Sequence, residues 1–434
     1  MNNGLLICVR CVFGRFNGGI TMQENYTMLK RLLCGFVVAA FVSTGILVFA
    51  KHTSQQKNQR DIPSNVSSDL RADLADLNSP DPVTRARAAY TIGREHRESI
   101  EAIPFLIALL GDSVEVDPKL FRKDRYSCDG GEWCKSSPGK EAAIALTEIG
   151  KPSVEPLIGA LQDSQAQART HAAWALGAIG DSRAVQPLVG SLRDTATTVR
   201  VQSAWALGAI GKRGGADSVG PLIQSLNDSE PKVRQQVAWA LGAIGDRQAA
   251  EALSASLKDS DESVRQQVAW ACGAIGARQA GPGLIQTLKD SSRGVRQQAA
   301  WALGAIGDKD ASDGLSESLK DEDAGVRCQA AWALGAIGAR SAVSSLGQAL
   351  KDSEPKVKTQ AAWALGAIGD RDAVDSLIAA LKDENTQVRV QAAWALGAIG
   401  DGRAEDALSA ALKDEEQSVR KQAAWALGVV TRRN

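Results

Sequence analysis

The sequence predicts an all-α chain: a right-handed α-solenoid of about eleven stacked helical hairpins, preceded by one transmembrane or signal helix. Three observations lead there. The phrase A-W-A-L-G-A-I-G returns almost unchanged at a fixed period, as a stacked repeat array requires. Each period holds two apolar stripes at helical spacing, separated by a polar turn. Residues 32–50 form an uncharged apolar run of nearly the length of a bilayer core. The 434 residues also exceed what one ordinary core organises.

Residues 1–31 read as a short cytoplasmic segment. Leu32 to Ala50 (LLCGFVVAAFVSTGILVFA) contains no charged residue. At ~1.5 Å per helical residue the run reaches ~28 Å, against ~30 Å for the hydrocarbon core. Lys30 and Arg31 precede it, and Lys51, Lys57 and Arg60 follow it, so the flanking charge is not one-sided. Two export readings stay open. The segment is retained as a single-pass membrane anchor with extracytoplasmic repeats, or it is cut after Ala50 to give a secreted or periplasmic protein. A start at Met28 would give that signal a typical length. Residues 51–68 are polar and read as a flexible tether; Asn65-Val66-Ser67 matches a glycosylation acceptor.

Residues 69–150 hold two degenerate repeats. Tyr90 stands at the Trp position in DPVTRARAAYTIG, and Ile144 stands there in EAAIALTEIG. An insertion, 112–138, separates the second of these from its first helix. It contains Phe121, Tyr126, Trp133 and the pair Cys128 and Cys134, joined by Asp-Gly-Gly-Glu-Trp. That turn can bring the two sulfurs together, so the pair is a candidate disulfide in an exported protein. Zinc would need two more ligands, and no histidine is near.

Residues 151–434 are regular. Trp174, Trp205, Trp239, Trp270, Trp301, Trp332, Trp363, Trp394 and Trp425 follow one another at intervals of 31, with a single 34 where Lys212-Arg213-Gly214-Gly215 enlarges a turn. In the repeat 249–276, Ala252, Leu253 and Leu257 mark a first helix, and Lys258-Asp259-Ser260-Asp261 breaks it. Val264, Val268, Ala271, Cys272 and Ile275 then mark the buried stripe of a second helix. Gly276 fits a left-handed cap, and Pro231 and Pro355 fit the first turn of second helices. Asp181, Asp246, Asp308, Asp370 and Asp401 fit N-caps. Turn aspartates from Asp194 to Asp414 are followed six residues later by Arg, or by Lys358 once, and read as a structural ion-pair ladder.

The elements V-R-x-x-A-x-x-A-L-G-x-I-G-D and L-K-D resemble the HEAT-like repeats of the phycobilin-lyase type and engineered proteins built from such sequences. The resemblance covers residues 66–434. It implies stacked hairpins and protein–protein contact, with the Trp positions of the second helices lining a concave surface. On a helical wheel Trp270 falls away from the buried stripe, on the side of Gln266, Gln267 and Ala274. The candidate partner-binding residues are therefore the nine tryptophans with Gln235, Gln266 and Gln297. The competing reading is that each indole packs between neighbouring second helices. Cys272 reads as core and Cys328 as an accessible thiol on the groove.

No catalytic residue, metal site or cofactor is assigned. The chain has three histidines, His52, His96 and His171, which limits acid–base and metal chemistry. Catalytic relatives that resemble deoxyhypusine hydroxylase hold iron with His-Glu pairs, and here only the reversed Glu95-His96 occurs. Fifty basic and fifty acidic residues give zero net charge, which argues against nucleic acid. The expected function is a membrane-tethered or exported scaffold that binds a protein or peptide along the Trp-lined surface. The alternatives are an envelope glycan-binding module and a lyase-like cofactor-chaperone subunit. The last repeat ends Ala426-Leu-Gly-Val-Val-Thr-Arg-Arg-Asn434 without a polar cap, which invites end-to-end stacking or a partner.

Overall fold

The structure, a computed structural model, describes residues 61–122, 135–211 and 216–433. These residues form 22 α-helices in eleven consecutive hairpins, with one isolated antiparallel bridge, Val116–Ser136, and no strand. Hairpin 1 is Ser68–Asp76 with Pro82–Glu95, and hairpin 2 is Ile103–Leu109 with Pro138–Ile149. Hairpins 3 to 11 run from Val154–Ala160 and Ala166–Ile179 to Glu405–Ala411 and Gln417–Arg433. The segment 32–50 and the pair Cys128 and Cys134 lie outside the described residues. Among the described residues no helix is long and apolar enough to cross a membrane.

Hairpin 6 shows why the sequence folds this way. Asp246 accepts the Gln248 N–H and opens a 3-10 turn, Arg247–Ala249, which runs into the first helix, Ala250–Ser256. Asp181, Asp308, Asp370 and Asp401 do the same in their hairpins. Asp261 then caps the second helix, Glu262–Ile275, by accepting from Ser263 and Val264. Val264, Val268, Ala271, Cys272 and Ile275 are all buried, as the 3.6-residue period requires. Burial pushes the Cys272 thiol up to about 12. Gly276 ends the helix at φ +68°, a conformation that strains any residue with a Cβ. Pro231 and Pro355 begin their helices, where the missing N–H leaves no bond unmade.

Successive hairpins are stapled at the turns. Arg265 donates from Nε and Nη2 to both carboxylate oxygens of Asp290 in the next hairpin, at 2.7 and 2.9 Å. Its Nη1 donates to the Asp259 and Ser260 carbonyls of its own turn. Asp290 in turn accepts the Ser292 N–H, which shapes the next turn. One guanidinium thus ties its own turn to its neighbour's in a planar fork that lysine cannot copy. The pattern recurs in Arg169–Asp194, Arg200–Asp228, Arg234–Asp259, Arg296–Asp321, Arg327–Asp352 and Arg389–Asp414. Arg85–Asp112 begins the series. Hairpin 2 has Gly139 at the corresponding place, where an added Cβ would meet the Leu110 and Asp112 carbonyls. Lys358 reaches only Asp383 Oδ2, at 2.7 Å.

Above the turns, second helices pack closely on one another, whereas first helices meet their counterparts mainly through the 3-10 turns. The core is one continuous apolar layer between the two sets of helices, and no hairpin buries its stripe alone.

Two outcomes follow from the ladder. Lys358→Arg restores the bonds to the Asp352 and Ser353 carbonyls and raises unfolding stability by about 1 kcal/mol, read as a higher denaturant midpoint. The Arg169 fork holds the Asp194 carboxyl below its ordinary range, as the Arg389 fork does for Asp414. At Asp290 burial works in the opposite direction, but the Arg265 fork and the Ser292 N–H outweigh it. A carboxylate whose folded pKa lies below its unfolded value stabilises fully above the unfolded value, about 3.9. Thermal unfolding from pH 8 downward should therefore show this contribution intact above about pH 5 and lost progressively below about pH 4.

Candidate binding surface

On each second helix the positions away from the core form a narrow outward stripe. In hairpin 6 these are Ser263, Gln266, Gln267, Trp270 and Ala274, all partly or fully exposed. At 100° per residue they share one side of the helix. The stripe continues through hairpins 7 to 11, and hairpins 3 and 5 present it as well. In hairpin 4 Val201, Gln202 and Trp205 are buried. Cys328 is partly exposed on the stripe of hairpin 8, and burial raises its thiol pKa.

The tryptophans have two sides. Each ring from Trp205 to Trp425 rests on the glycine of the preceding hairpin's A-W-A-L-G. A Cβ added at Gly304 would stand 2.6 Å from Trp332 Cζ3 and 2.8 Å from Ala333 Cα. The same crowding is found at Gly177, Gly208, Gly242, Gly273, Gly335, Gly366 and Gly397. The glycine lets the next helix and its ring approach, so one side of each indole is packed between repeats. Trp174, Trp239, Trp270, Trp301, Trp332, Trp363 and Trp394 nevertheless stay partly exposed. Trp425 is 47% exposed. The rings are thus mortar, and most also contribute surface.

Gln235, Gln266 and Gln297 lie beside the rings, exposed or partly exposed. Gln266 reaches over Gly294 of the next helix. The structure draws attention to the neighbouring column as well: Gln202, Gln236, Gln267, Gln298, Gln329, Gln360, Gln391 and Gln422 fill one position in every hairpin from 4 to 11. The Gln235 column breaks at Val201, Cys328, Thr359, Val390 and Lys421. Aligning the repeats position by position would have found the stricter column. None of the side-chain amides of Gln235, Gln236, Gln266, Gln267, Gln297 and Gln298 hydrogen-bonds another described residue. An open row of unused donors and acceptors beside flat apolar rings can hold polar main chain and aromatic groups together.

The insertion takes a different place. Val116 and Phe121 are buried against Ala86, with Val83 and Tyr90 alongside. The Phe121 ring lies 6.0 Å from Tyr90, tilted by 60°. Arg122 donates to both oxygens of Glu141, which is fully buried and also accepts from Ser136. Nearby, His171 Nδ1 meets the Leu110 carbonyl at 2.7 Å, and burial lowers its pKa. Among the described residues no group of three or more His, Cys, Asp or Glu stands where a metal could be held.

The profile of HEAT repeats matches residues 139–208, 193–271, 251–327, 312–385 and 374–432. No curated protein matches the sequence. Among solved structures the chain is similar to importin beta, at 16% identity and TM-score 0.58 over 83% of this chain and 58% of that one. It is similar to Kap95p, from a study in which Kap95p binding induces the switch loops of RanGDP to adopt the GTP-bound conformation. That match has 13% identity and TM-score 0.58, over 84% of this chain and 58% of that one. An engineered protein aligns over 84% of this chain and 99% of its own, at 22% identity and TM-score 0.46. The chain belongs to the HEAT-repeat family.

Gly304→Ala should force Trp332 and its helix outward and destabilise the array by about 1–3 kcal/mol, measured by urea unfolding. Ala305→Ser, one residue on and exposed, should change stability by less than about 0.5 kcal/mol.

Proposed function

We propose that this member of the HEAT-repeat family is a non-catalytic scaffold. It grips a protein partner along the Gln- and Trp-bearing stripe and is held at a membrane by residues 32–50, with its repeats on the extracytoplasmic side. The observation that carries the reading is the stripe itself: unpaired side-chain amides beside half-open indoles, repeated along one side of the second helices. A long row of polar donors with aromatic surface is the composition that interfaces favour. The closer packing of second helices than of first helices supports a curve with the second helices inside, which makes the stripe concave. Kap95p, of similar fold, binds RanGDP. The apolar run of residues 32–50 supports the tether. Three histidines in the whole chain, with the described stripe carrying mainly amides and indoles, support binding over catalysis.

The test is site-specific crosslinking in cells expressing the full-length chain. A photoreactive residue replaces Gln266 or Gln297 on the stripe, or Gln286 on an exposed first-helix position. Protease-sensitive adducts should form from the two stripe positions and not from Gln286. Adducts sensitive only to glycosidases would replace the protein reading with a glycan one. Adducts from Gln286 alone would move the interface to the other side.

A further inference from the structure

In hairpins 1 and 2 the stripe is occupied, and its occupant is a segment of the same chain. Aligned at the Trp position, Val83, Ala86, Arg87 and Tyr90 correspond to Ser263, Gln266, Gln267 and Trp270. Lys140 and Glu141 correspond to Gln266 and Gln267 in hairpin 2. These are the residues that residues 113–122 and 135–137 touch.

The contacts divide by position. At the Trp position, Tyr90 takes the aromatic ring of Phe121. At the Gln267 position of hairpin 1, Arg87 Nη2 donates to the main-chain carbonyl of Leu120, at 3.3 Å. At the Gln266 position of hairpin 2, Lys140 Nζ donates to the main-chain carbonyl of Lys135, at 3.2 Å. One stripe position of hairpin 1 therefore holds main chain of the crossing segment and another holds its ring, while Lys140 holds the carbonyl of the lead-in to its own helix. Apart from the single 3-10 turn Pro118–Leu120, the occupant has no regular helix, and its Leu120 carbonyl accepts from Arg87.

We propose that the open stripe of hairpins 5 to 11 binds an extended polypeptide segment with recurring aromatic side chains. The glutamine columns take its main-chain carbonyls and N–H groups, and the half-open indoles take its rings. This rests on the protein-binding reading above and narrows it to one class of partner. Glutamine suits the task better than the Arg87 and Lys140 of the first hairpins, because its amide both donates and accepts. Neighbouring helices stand ~8–10 Å apart, and extended chain advances ~3.3 Å per residue. One aromatic residue about every three therefore keeps step with the indoles.

The experiment uses the full-length chain in detergent and a fluorescein-labelled 18-residue peptide with Phe at every third position and Ser elsewhere. Controls are a peptide with the same six Phe residues in one block and a peptide with every Phe replaced by Ser. Fluorescence anisotropy should show saturable binding of the spaced peptide at least tenfold tighter than either control. Gln267→Ala together with Gln298→Ala should weaken it at least fivefold, and Gln286→Ala should leave it unchanged. Circular dichroism of the double variant establishes that it is folded, and Gln267→Asn with Gln298→Asn should recover part of the affinity if the amides act directly. No saturation by 1 mM, or equal affinity for spaced and blocked peptides, overturns the inference. If stripe adducts with a protein still form in the crosslinking experiment, the broader reading survives that result. If they do not, both fall.

Discussion

The closeness of adjacent second helices is the constraint on which the rest of this molecule depends. A glycine three residues after each tryptophan removes the one side chain that would hold the helices apart. The next hairpin's indole and alanine fill the space. With that distance fixed, the arginine of one turn reaches the aspartate of the next and both carboxylate oxygens are used. Lengthening the gap by a methyl group would loosen the packing and the fork together. Packing in the middle of each helix and ion pairing at its N-terminal turn therefore act on one coordinate.

The same closeness decides what remains outside. A helix pressed against neighbours on two sides and against its own first helix on a third leaves only a narrow strip uncovered. The residues of that strip are those whose side chains have nothing to do inside: amides, small residues, the far edges of the rings and, in hairpins 5, 9 and 11, a lysine. Surface composition here follows from packing, and the regularity of the surface is inherited from the regularity of the core. The insertion shows that chain can lie on this strip, since Phe121, Val116 and Arg122 find partners there without disturbing the helices beneath.

Much of this was legible in the residues. The 31-residue period and the apolar spacing give hairpins, their number and the buried stripe, because helix geometry maps sequence position onto direction without further information. The same mapping puts Trp270 beside Gln266, Gln267 and Ala274. It does not say how a ring is turned. The partner of each indole is a glycine in a different repeat, and within the motif that glycine reads equally well as a feature of its own helix. Along the chain Gln267 is a single residue near Trp270, and its column shows only when the repeats are set one beneath another. The contact between Phe121 and Tyr90 joins a helix to a stretch with no periodicity, so no pattern signals it. The apolar run 32–50 and the cysteine pair stand as features of the sequence alone.

Near-identity of the repeats has a consequence for assembly of the chain itself. Most regular hairpins offer the same socket and the same fork, Lys358 of hairpin 9 being the exception in the fork, so hairpin 5 fits hairpin 7 almost as well as hairpin 6. A chain of interchangeable parts can close in the wrong order and leave one part looped out. The first two hairpins are not interchangeable with the rest: Tyr90 and Ile144 stand where the others have Trp, Gly139 stands where they have Arg or Lys, and Phe121 of the insertion packs on Tyr90. They mark one end of the array as distinct, much as the unrepeated first turn of a thread differs from every later turn.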